Sequence, residues 1–266
     1  ARPDMVLVYG DTNTTLAAAL AAAQAGVAVG HVEAGMRSFD RAMPEEHNRV
    51  LTDHASDVLL CSTEAAVANL AAERVAGEVH RVGDVMADVS LAFAPIAERR
   101  SDVLERIGLE PGGYVAATAH RAGNVDDPER LERLVALLEA VPATVVLPLH
   151  PRTAARLDAT GLRARLGSAP NVVLAPPLGY LDFTKLAANA RAVLTDSGGV
   201  QKEAFLLGVP CVTLRDTTEW VETVDAGWNT LVDLDAGAAV AALERPRPDA
   251  ERPDLYGAGR AAERVC

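Results

Sequence analysis

The segment VLVYGDTNTTLAAALAAAQAGVAV at positions 6–29 shows the pattern that the rest of the chain repeats. Its apolar run over 6–9 predicts a β-strand, a polar loop follows, and the Ala- and Leu-rich stretch 16–25 predicts a helix that stops at Gly26. The next apolar run begins at Val27 and ends near Gly35. This order of strand, helix and strand predicts a parallel sheet built from βαβ units.

Strands and helices continue to alternate along the remaining sequence. We predict further strands at 58–61, 79–82, 114–118, 144–148, 171–174, 192–196 and 210–214. We predict further helices at about 128–140, 152–166, 180–189, 199–207 and 218–226. A helical pattern over 88–106 is interrupted by Pro95, and PGG at 111–113 precedes a fresh strand. We therefore predict two α/β domains, 1–106 and 107–266. The Pro-rich stretch 245–253 is expected to be a surface loop before a last short helix.

Composition excludes several classes of function. The chain has 266 residues, 49% of them hydrophobic, and carries 37 acidic against 25 basic side chains, a net charge of −12. A protein that binds duplex nucleic acid needs a basic face to displace counterions, so we expect no nucleic-acid partner. No apolar run approaches the roughly 20 residues of a membrane span, and the first residues lack a signal-peptide pattern. These features predict a cytoplasmic protein without a membrane partner.

The cysteines and histidines show no metal-binding spacing. Cys61, Cys211 and Cys266 are an odd number without motif spacing, so no disulfide framework is implied. Cys61 and Cys211 lie in or beside apolar strand-like runs, where a buried structural thiol is expected. No His and Cys pattern typical of zinc is present, and we predict no metal site.

Three acidic residues in the first half fall at predicted strand ends or in the loops that follow them. They are Asp11, Glu33 and Glu45. Ligands of open parallel sheets bind beyond the carboxyl ends of the strands, where clustered carboxylates suit acid and base chemistry. The alternative is structural: Asp11 caps the following helix, and Glu45 with Glu46 favours a helix N-terminus.

The second half carries a candidate anion site. Ser197, Gly198 and Gly199 follow a predicted strand and open a helix, so backbone N–H groups and the positive helix end are available to a phosphate. An ordinary turn between strand and helix is the alternative. The Gly-x-Gly-x-x-Gly dinucleotide fingerprint follows no strand, so no NAD cofactor is predicted. His120 and His150 end two neighbouring predicted strands and are candidates for phosphate contact or proton transfer.

Six strings in the same order resemble one family of enzymes. They are GDT at 10–12, HVEAGMR at 31–37, PEEHNR at 44–49, TAHR at 118–121, DSGGVQKE at 196–203 and LRDTTE at 214–219. Together they resemble the non-hydrolysing UDP-N-acetylglucosamine 2-epimerases. The resemblance implies a GT-B fold of two Rossmann-like domains, with the first domain N-terminally truncated because the family's initial Gly-Thr-Arg-Pro-like loop has no counterpart.

The resemblance also implies a reaction and a set of site residues. UDP is expelled in an anti elimination that leaves a 2-acetamidoglucal, and it adds back after a proton reaches the opposite face of C2. No cofactor is implied, the partner is a UDP-sugar, and the enzyme is expected to be a homodimer. The implied catalytic residues are Asp11, Glu33, Glu45 and His120, and the implied UDP-binding residues are Arg121, His150, Ser197, Gly198, Gly199, Glu203 and Arg215.

One departure leaves the substrate open. Trp220 lies in EWVE at 219–222, where many members of the family have Glu-Arg-Pro-Glu. With GDVM at 83–86, this variant resembles epimerases of modified UDP-sugars such as UDP-2,3-diacetamido-2,3-dideoxyglucuronate. Two other functions stay open at this point. One is a GT-B glycosyltransferase, and the other is a nucleotide-sugar-binding protein without catalysis.

Overall fold

The chain divides into two compact units. The computed structural model describes residues 3–248 and 252–266. Unit 1 comprises Ala1–Val89 with Asp254–Cys266, and unit 2 comprises Ser90–Pro253. This division lies earlier in the chain than the boundary predicted between 106 and 107, and it assigns the C-terminal segment to unit 1.

Unit 1 is a four-stranded parallel sheet with helices between its strands. Its elements are β1 Met5–Tyr9, α1 Asn13–Gln24, β2 Ala28–Ala34, α2 Pro44–His54, β3 Val58–Cys61, α3 Glu64–Glu73 and β4 Glu78–Arg81. The strands lie in the order β1-β2-β3-β4. The next helix, α4 Val85–Arg100, begins in unit 1 and ends in unit 2.

The C-terminal segment belongs to unit 1 because it bonds to the start of α4. The Asp84 N–H donates to the Tyr256 carbonyl at 2.9 Å, and the Ala261 N–H donates to Asp88 Oδ1 at 2.9 Å. The predicted last short helix is confirmed as α14, Ala261–Val265.

Unit 2 is a six-stranded parallel sheet. Its elements are α5 Val103–Ile107, β5 Tyr114–Thr118, α6 Ala122–Val125, α7 Pro128–Ala140, β6 Thr144–Pro148, α8 Pro151–Thr160, α9 Leu162–Ser168, β7 Val172–Ala175, α10 Tyr180–Ala188, β8 Ala192–Thr195, α11 Gly198–Leu207, β9 Cys211–Thr213, α12 Val221–Asp225, β10 Asn229–Leu231 and α13 Ala236–Leu243. The strand order is β10-β9-β8-β5-β6-β7. The predicted α/β class with parallel sheets is confirmed.

The sheet of unit 2 is covered on both faces. Along β5, Val115 and Ala117 belong to one apolar cluster, and Tyr114 and Ala116 belong to another. Successive side chains of a strand point to opposite faces, so these two clusters are the cores above and below the sheet. This arrangement explains why the strands read as continuous apolar runs.

Several elements differ from the sequence-based expectations. The helix α4 runs through Pro95 without a break. The helix predicted over 152–166 is two helices, because Gly161 adopts a φ of 73° between α8 and α9. The elements α3, α6, α13 and β10 were not predicted, and α2 was expected only in the structural alternative for Glu45 and Glu46. A three-residue strand such as β10 carries too little sequence to show a periodic pattern.

The predicted burial of two cysteines is confirmed. Cys61 and Cys211 are buried and unbridged, and burial raises the pKa of each thiol to about 12. Such thiols stay protonated at neutral pH and are unreactive. Among the described helices, none is long and apolar enough to cross a lipid bilayer.

Candidate active site

In unit 1, Asp11 and Glu33 lie at the same edge of the sheet. The Gly10 N–H donates to the Val32 carbonyl at 3.1 Å, which joins the ends of β1 and β2. Glu33 has a φ of 75° and sits at a register shift of β2. Its Oε2 lies 3.5 Å from the position that a Cβ on Gly10 would occupy. The structure therefore turns the Glu33 carboxylate toward the loop that carries Asp11.

Neighbouring side chains hold Asp11 in place. Arg49 Nη2 donates to Asp11 Oδ2 at 2.7 Å, and Asn48 Nδ2 donates to the Asp11 carbonyl at 2.9 Å. The cap of α1 is Thr12, whose Oγ1 accepts from the Thr15 N–H. Asp11 is therefore not the helix cap of the structural alternative. Its side chain is 26% exposed, which leaves it accessible to a ligand.

The adjacent acids at the start of α2 have different environments. Glu46 is buried, and its oxygens accept from the Ser38 N–H, the Phe39 N–H and Arg49 Nη1 at 2.7–3.0 Å. Glu45 is exposed. It precedes Arg49 by four residues and so lies on the same face of the helix, one turn away from the side chain that binds Asp11. Both acids occupy the first turn of α2, as the structural alternative expected.

A buried network anchors the loop before Asp11. His31 Nε2 lies 2.8 Å from the Gly10 carbonyl, and His31 Nδ1 lies 2.6 Å from Asp53 Oδ1. The two ring nitrogens of His31 therefore bridge the Gly10 carbonyl and the Asp53 carboxylate. Asp53 Oδ2 accepts from the Gly35 N–H at 3.1 Å and lies 2.7 Å from Arg37 Nη1. The network therefore joins the ends of β1 and β2 through side chains that the solvent does not reach.

In unit 2, the turn from β8 to α11 has the geometry of an anion site. The N-cap of α11 is Ser197, whose side chain makes no capping bond and whose N–H donates to Thr195 Oγ1 at 3.0 Å. A Cβ on Gly198 would collide with the Glu219 carboxylate. Position 198 therefore requires glycine, because a side chain there would meet the carboxylate that lies at the positive end of α11.

Asp196 organises the loop that follows β5. This carboxylate is fully buried and accepts from the N–H groups of His120 and Arg121 at 3.0–3.1 Å. Asn124 Nδ2 donates to Asp196 at 3.2 Å and to the Leu214 carbonyl at 2.9 Å. The ends of β5, β8 and β9 are thus tied together, and His120 and Arg121 are held at the same edge as Ser197.

His120 stacks on His150. The ring centroids are 5.0 Å apart with an interplanar angle of 28°. Burial lowers the pKa of His120, Asp196 opposes this effect, and the charges of His150 and Arg121 add to it. A cavity of about 210 Å³ adjoins the pair and is lined mainly by apolar side chains, among them Leu178 and Phe183.

The two predicted UDP-binding arginines share one carboxylate. Arg215 Nη1 lies 2.9 Å from Glu219 Oε2, and Arg121 Nη2 lies 3.5 Å from Glu219 Oε1. Burial disfavours ionisation of Glu219, but the charges of Arg215 and Arg121 outweigh it and the pKa falls. Glu203, on α11, is partly buried, and this burial raises the pKa of its carboxyl.

The family model for UDP-N-acetylglucosamine 2-epimerase matches residues 1–266. The chain belongs to the UDP-N-acetylglucosamine 2-epimerase family. The resemblance drawn from the six motifs is confirmed, and the chain is an isomerase by family. Its curated relatives include a UDP-N-acetylglucosamine 2-epimerase homolog of Methanococcus maripaludis, 43% identical over 99% of this chain and 74% of that protein.

Further epimerase relatives differ in their named substrates. The UDP-2,3-diacetamido-2,3-dideoxy-D-glucuronate 2-epimerase of Pseudomonas aeruginosa is 48% identical over all of this chain and 74% of that protein. Among solved structures, the UDP-GlcNAc 2-epimerase of Methanocaldococcus jannaschii, in complex with UDP-GlcNAc and UDP, has a TM-score of 0.89. It is 43% identical, and the match covers 99% of this chain and 74% of that one.

Sequence reasoning singled out candidate acids but not the residues that bond to them or to the loops that carry them. The residues it did not single out are His31, Asn48, Arg49, Asp53, Asn124, Asp196 and Glu219. Most lie inside the quoted motifs, and that clustering was the available signal. A partner such as Asp53, which lies outside the motifs and 22 residues after His31, could be found only from the fold.

Proposed function

We propose that the chain interconverts UDP-N-acetylglucosamine and UDP-N-acetylmannosamine by inversion at C2. The proposal rests chiefly on one observation: Asp11 and Glu33 come together at the carboxyl edge of the unit 1 sheet. Clustered carboxylates at such an edge suit the removal and return of a proton. The named activities of the relatives, at 42–48% identity, agree with this chemistry.

The reaction needs groups that move a proton on both faces of C2. A carboxylate takes the proton from C2, the C–H electrons form the C1–C2 double bond, and UDP leaves with the electrons of the C1–O bond. A second group then protonates C2 from the other face while UDP adds back to C1. We assign these steps to Glu33, Glu45 and Asp11, with Asp11 oriented by Arg49 through the 2.7 Å ion pair.

Unit 2 supplies groups that bind a diphosphate. We assign Ser197, Gly198 and Gly199 at the start of α11 to the phosphate oxygens, and Asp196 holds His120 and Arg121 at the same edge of the sheet. Donors aimed at the leaving diphosphate stabilise its developing charge, which is worth roughly 3–4 kcal/mol for one such donor.

We assign further groups of unit 2 to the uracil, ribose and phosphates of the nucleotide. The apolar cavity beside His150 suits a flat uracil ring. Arg215 lies after β9 and would add positive charge. Glu203 on α11 is assigned to the ribose hydroxyls, which are donors that a carboxylate accepts.

A modified UDP-sugar is the second candidate substrate. One observation favours it: a relative named for UDP-2,3-diacetamido-2,3-dideoxy-D-glucuronate is 48% identical over the whole chain. Trp220 supports this candidate, because its buried ring stands where the motif of many family members has an arginine. The Trp220 ring lies 4.1 Å from Lys202 Nζ.

The proposal is tested by incubating the chain with each UDP-sugar and identifying products by NMR. We expect one of the two substrates to reach an equilibrium mixture of its C2 epimers. Consumption of the UDP-sugar only when an acceptor sugar is added would instead identify a glycosyltransferase. Binding of UDP without any turnover of either substrate would identify a nucleotide-sugar-binding protein and contradict the proposal.

Two further features are proposed on the family resemblance alone. We propose a homodimer, for which size-exclusion chromatography with light scattering would give about twice the 27.9 kDa mass of the chain. We also propose a cytoplasmic location, where nucleotide sugars are available to an enzyme. Fractionation of cells that express the tagged protein tests the location.

A further inference from the structure

A second cavity in unit 2 lies at the other edge of the sheet from the turn at Ser197. Its volume is about 350 Å³, within the range of small-molecule sites. Ala192 and Cys211, the first residues of β8 and β9, line it, as does Trp228 directly before β10. All of them mark amino ends of parallel strands, whereas the proposed UDP site lies at the carboxyl ends. The two sites are therefore distinct.

Arginine side chains surround this second cavity. Arg191, Arg245 and Arg247 line it. The guanidinium carbons of Arg247 and Arg252 lie 5.8 Å and 5.7 Å from the centre of the Trp228 ring. The chain carries a net charge of −12, so this concentration of positive charge runs against its overall composition.

Two of these four arginines donate hydrogen bonds to the carbonyl end of a helix. Arg191 Nη2 donates to the Leu243 carbonyl at the end of α13, and Arg252 Nη1 donates to carbonyls in the last turn of α11. Cations are favoured at these negative helix ends. In the described part of the chain, no carboxylate forms an ion pair with Arg245 or Arg247.

Two of these arginines, Arg247 and Arg252, also lie close to each other. Arg247 Nη2 and Arg252 Cζ lie 3.0 Å and 3.1 Å from the position that a Cβ on Gly208 would occupy. Burial lowers the pKa of Arg252, and the charge of Arg247 lowers it further. Like charges at this separation repel, and a bound anion would relieve the repulsion.

Trp228 gives the cavity a spectroscopic reporter. This residue is 4% exposed and lines the cavity. A ligand bound there would change the environment of its indole ring.

We propose that this cavity binds the oxyanion group of a small metabolite. Arg245 and Arg247 are its charged partners, and the indole ring of Trp228 borders the site. Phosphate and carboxylate share the planar or forked acceptor geometry that guanidinium groups recognise. Apolar residues such as Ala192 and Leu243 complete the lining and would contact the organic part.

The two tryptophans of the chain make the site observable. In ¹H–¹⁵N spectra of the full chain, the Trp220→Phe variant assigns the two indole N–H resonances. Inorganic phosphate, pyrophosphate and citrate are then titrated at constant ionic strength, so that the phosphate and carboxylate arms are separated. We expect a saturable shift of the Trp228 resonance with at least one of these anions.

Variants identify the groups responsible. The Arg245→Gln/Arg247→Gln protein should bind the anion at least about tenfold more weakly, since two charge-assisted contacts are lost. The matched control is Arg99→Gln/Arg100→Gln, which removes two exposed arginines at the end of α4 and should bind like the parent.

Three outcomes would overturn the proposal. They are the absence of a saturable Trp228 shift with every anion, an equal affinity in the double variant, and a shift confined to the Trp220 resonance. A parallel titration with UDP reports on the nucleotide site separately. Failure of UDP to bind would therefore contradict the proposed function without bearing on this cavity.

Discussion

Glu45 and Glu46 are neighbours in sequence, but their environments in the structure differ. Glu46 is buried and its oxygens are occupied by Ser38, Phe39 and Arg49, whereas Glu45 is exposed one helical turn from Arg49. The sequence motif could indicate an acidic site here but could not distinguish the two. Burial and hydrogen-bond partners decide that question, and both depend on residues distant in the chain.

Replacing Asp11 by Asn tests the assignment of the unit 1 acids. The change removes a charge next to Arg49 and keeps the size of the side chain, so turnover should fall by about 10²- to 10⁴-fold. UDP affinity should stay within about threefold of the parent, a difference of at most about 0.7 kcal/mol. Asp4→Asn, at an exposed position, is the control for turnover and for UDP affinity by calorimetry. Unchanged turnover in the Asp11 variant would remove this acid from the mechanism.

We expect His120 to take up a proton when UDP binds. Its pKa is lowered in the free protein, so the ring is neutral at pH 7. A diphosphate beside the ring favours its charged form and therefore raises the pKa of His120. At a pH somewhat below neutrality, His120 therefore takes up a proton when UDP binds. At high pH the ring stays neutral, and His120 takes up no proton. Calorimetry in buffers of different ionisation enthalpy at about pH 6 and about pH 8 measures the uptake.

The His120→Asn variant isolates this contribution from the titration of UDP itself. We expect the variant to lose most of the uptake at the lower pH and to change little at the higher pH. Equal uptake in parent and variant would show that His120 does not contact the diphosphate.

At the scale of elements, prediction succeeded where several sequence signals agreed. The helix α7 was predicted with its observed bounds, because Pro128 stands in its first turn and Leu131, Leu134, Val135 and Leu138 recur at helical spacing. The register shift at Glu33 and the break at Gly161 left no periodic signal. A single residue in a left-handed conformation sets each of them, and tertiary contacts select that conformation.

The Gly198→Ala variant tests the role of the start of α11. In Gly198→Ala the new methyl group meets the Glu219 carboxylate, which Arg215 and Arg121 hold in place. We expect a loss of about 1–3 kcal/mol in unfolding free energy and a weaker affinity for UDP by tenfold or more. Urea unfolding and UDP titration measure the two effects. Gly237→Ala, within α13, is the control, and an equal UDP affinity in the two variants would contradict the assignment of this turn.

At the scale of the whole molecule, the alternation of strands and helices was sufficient to predict two parallel α/β sheets. It could not predict that the last residues return to unit 1, because that return depends on hydrogen bonds such as the one from Ala261 to Asp88. The six motifs led to the family, and four of them begin at or directly after the carboxyl end of a strand. The arginine-lined cavity at the amino edge of unit 2 belongs to none of these motifs.

The most direct test of the proposed chemistry is the fate of the hydrogen on C2. The chain is incubated in D₂O with UDP-N-acetylglucosamine and, separately, with the diacetamido-glucuronate substrate, without any acceptor sugar. We predict that NMR will show deuterium at C2 in both epimers of the substrate that turns over. A UDP-sugar that binds and yet keeps its C2 hydrogen throughout would contradict the account.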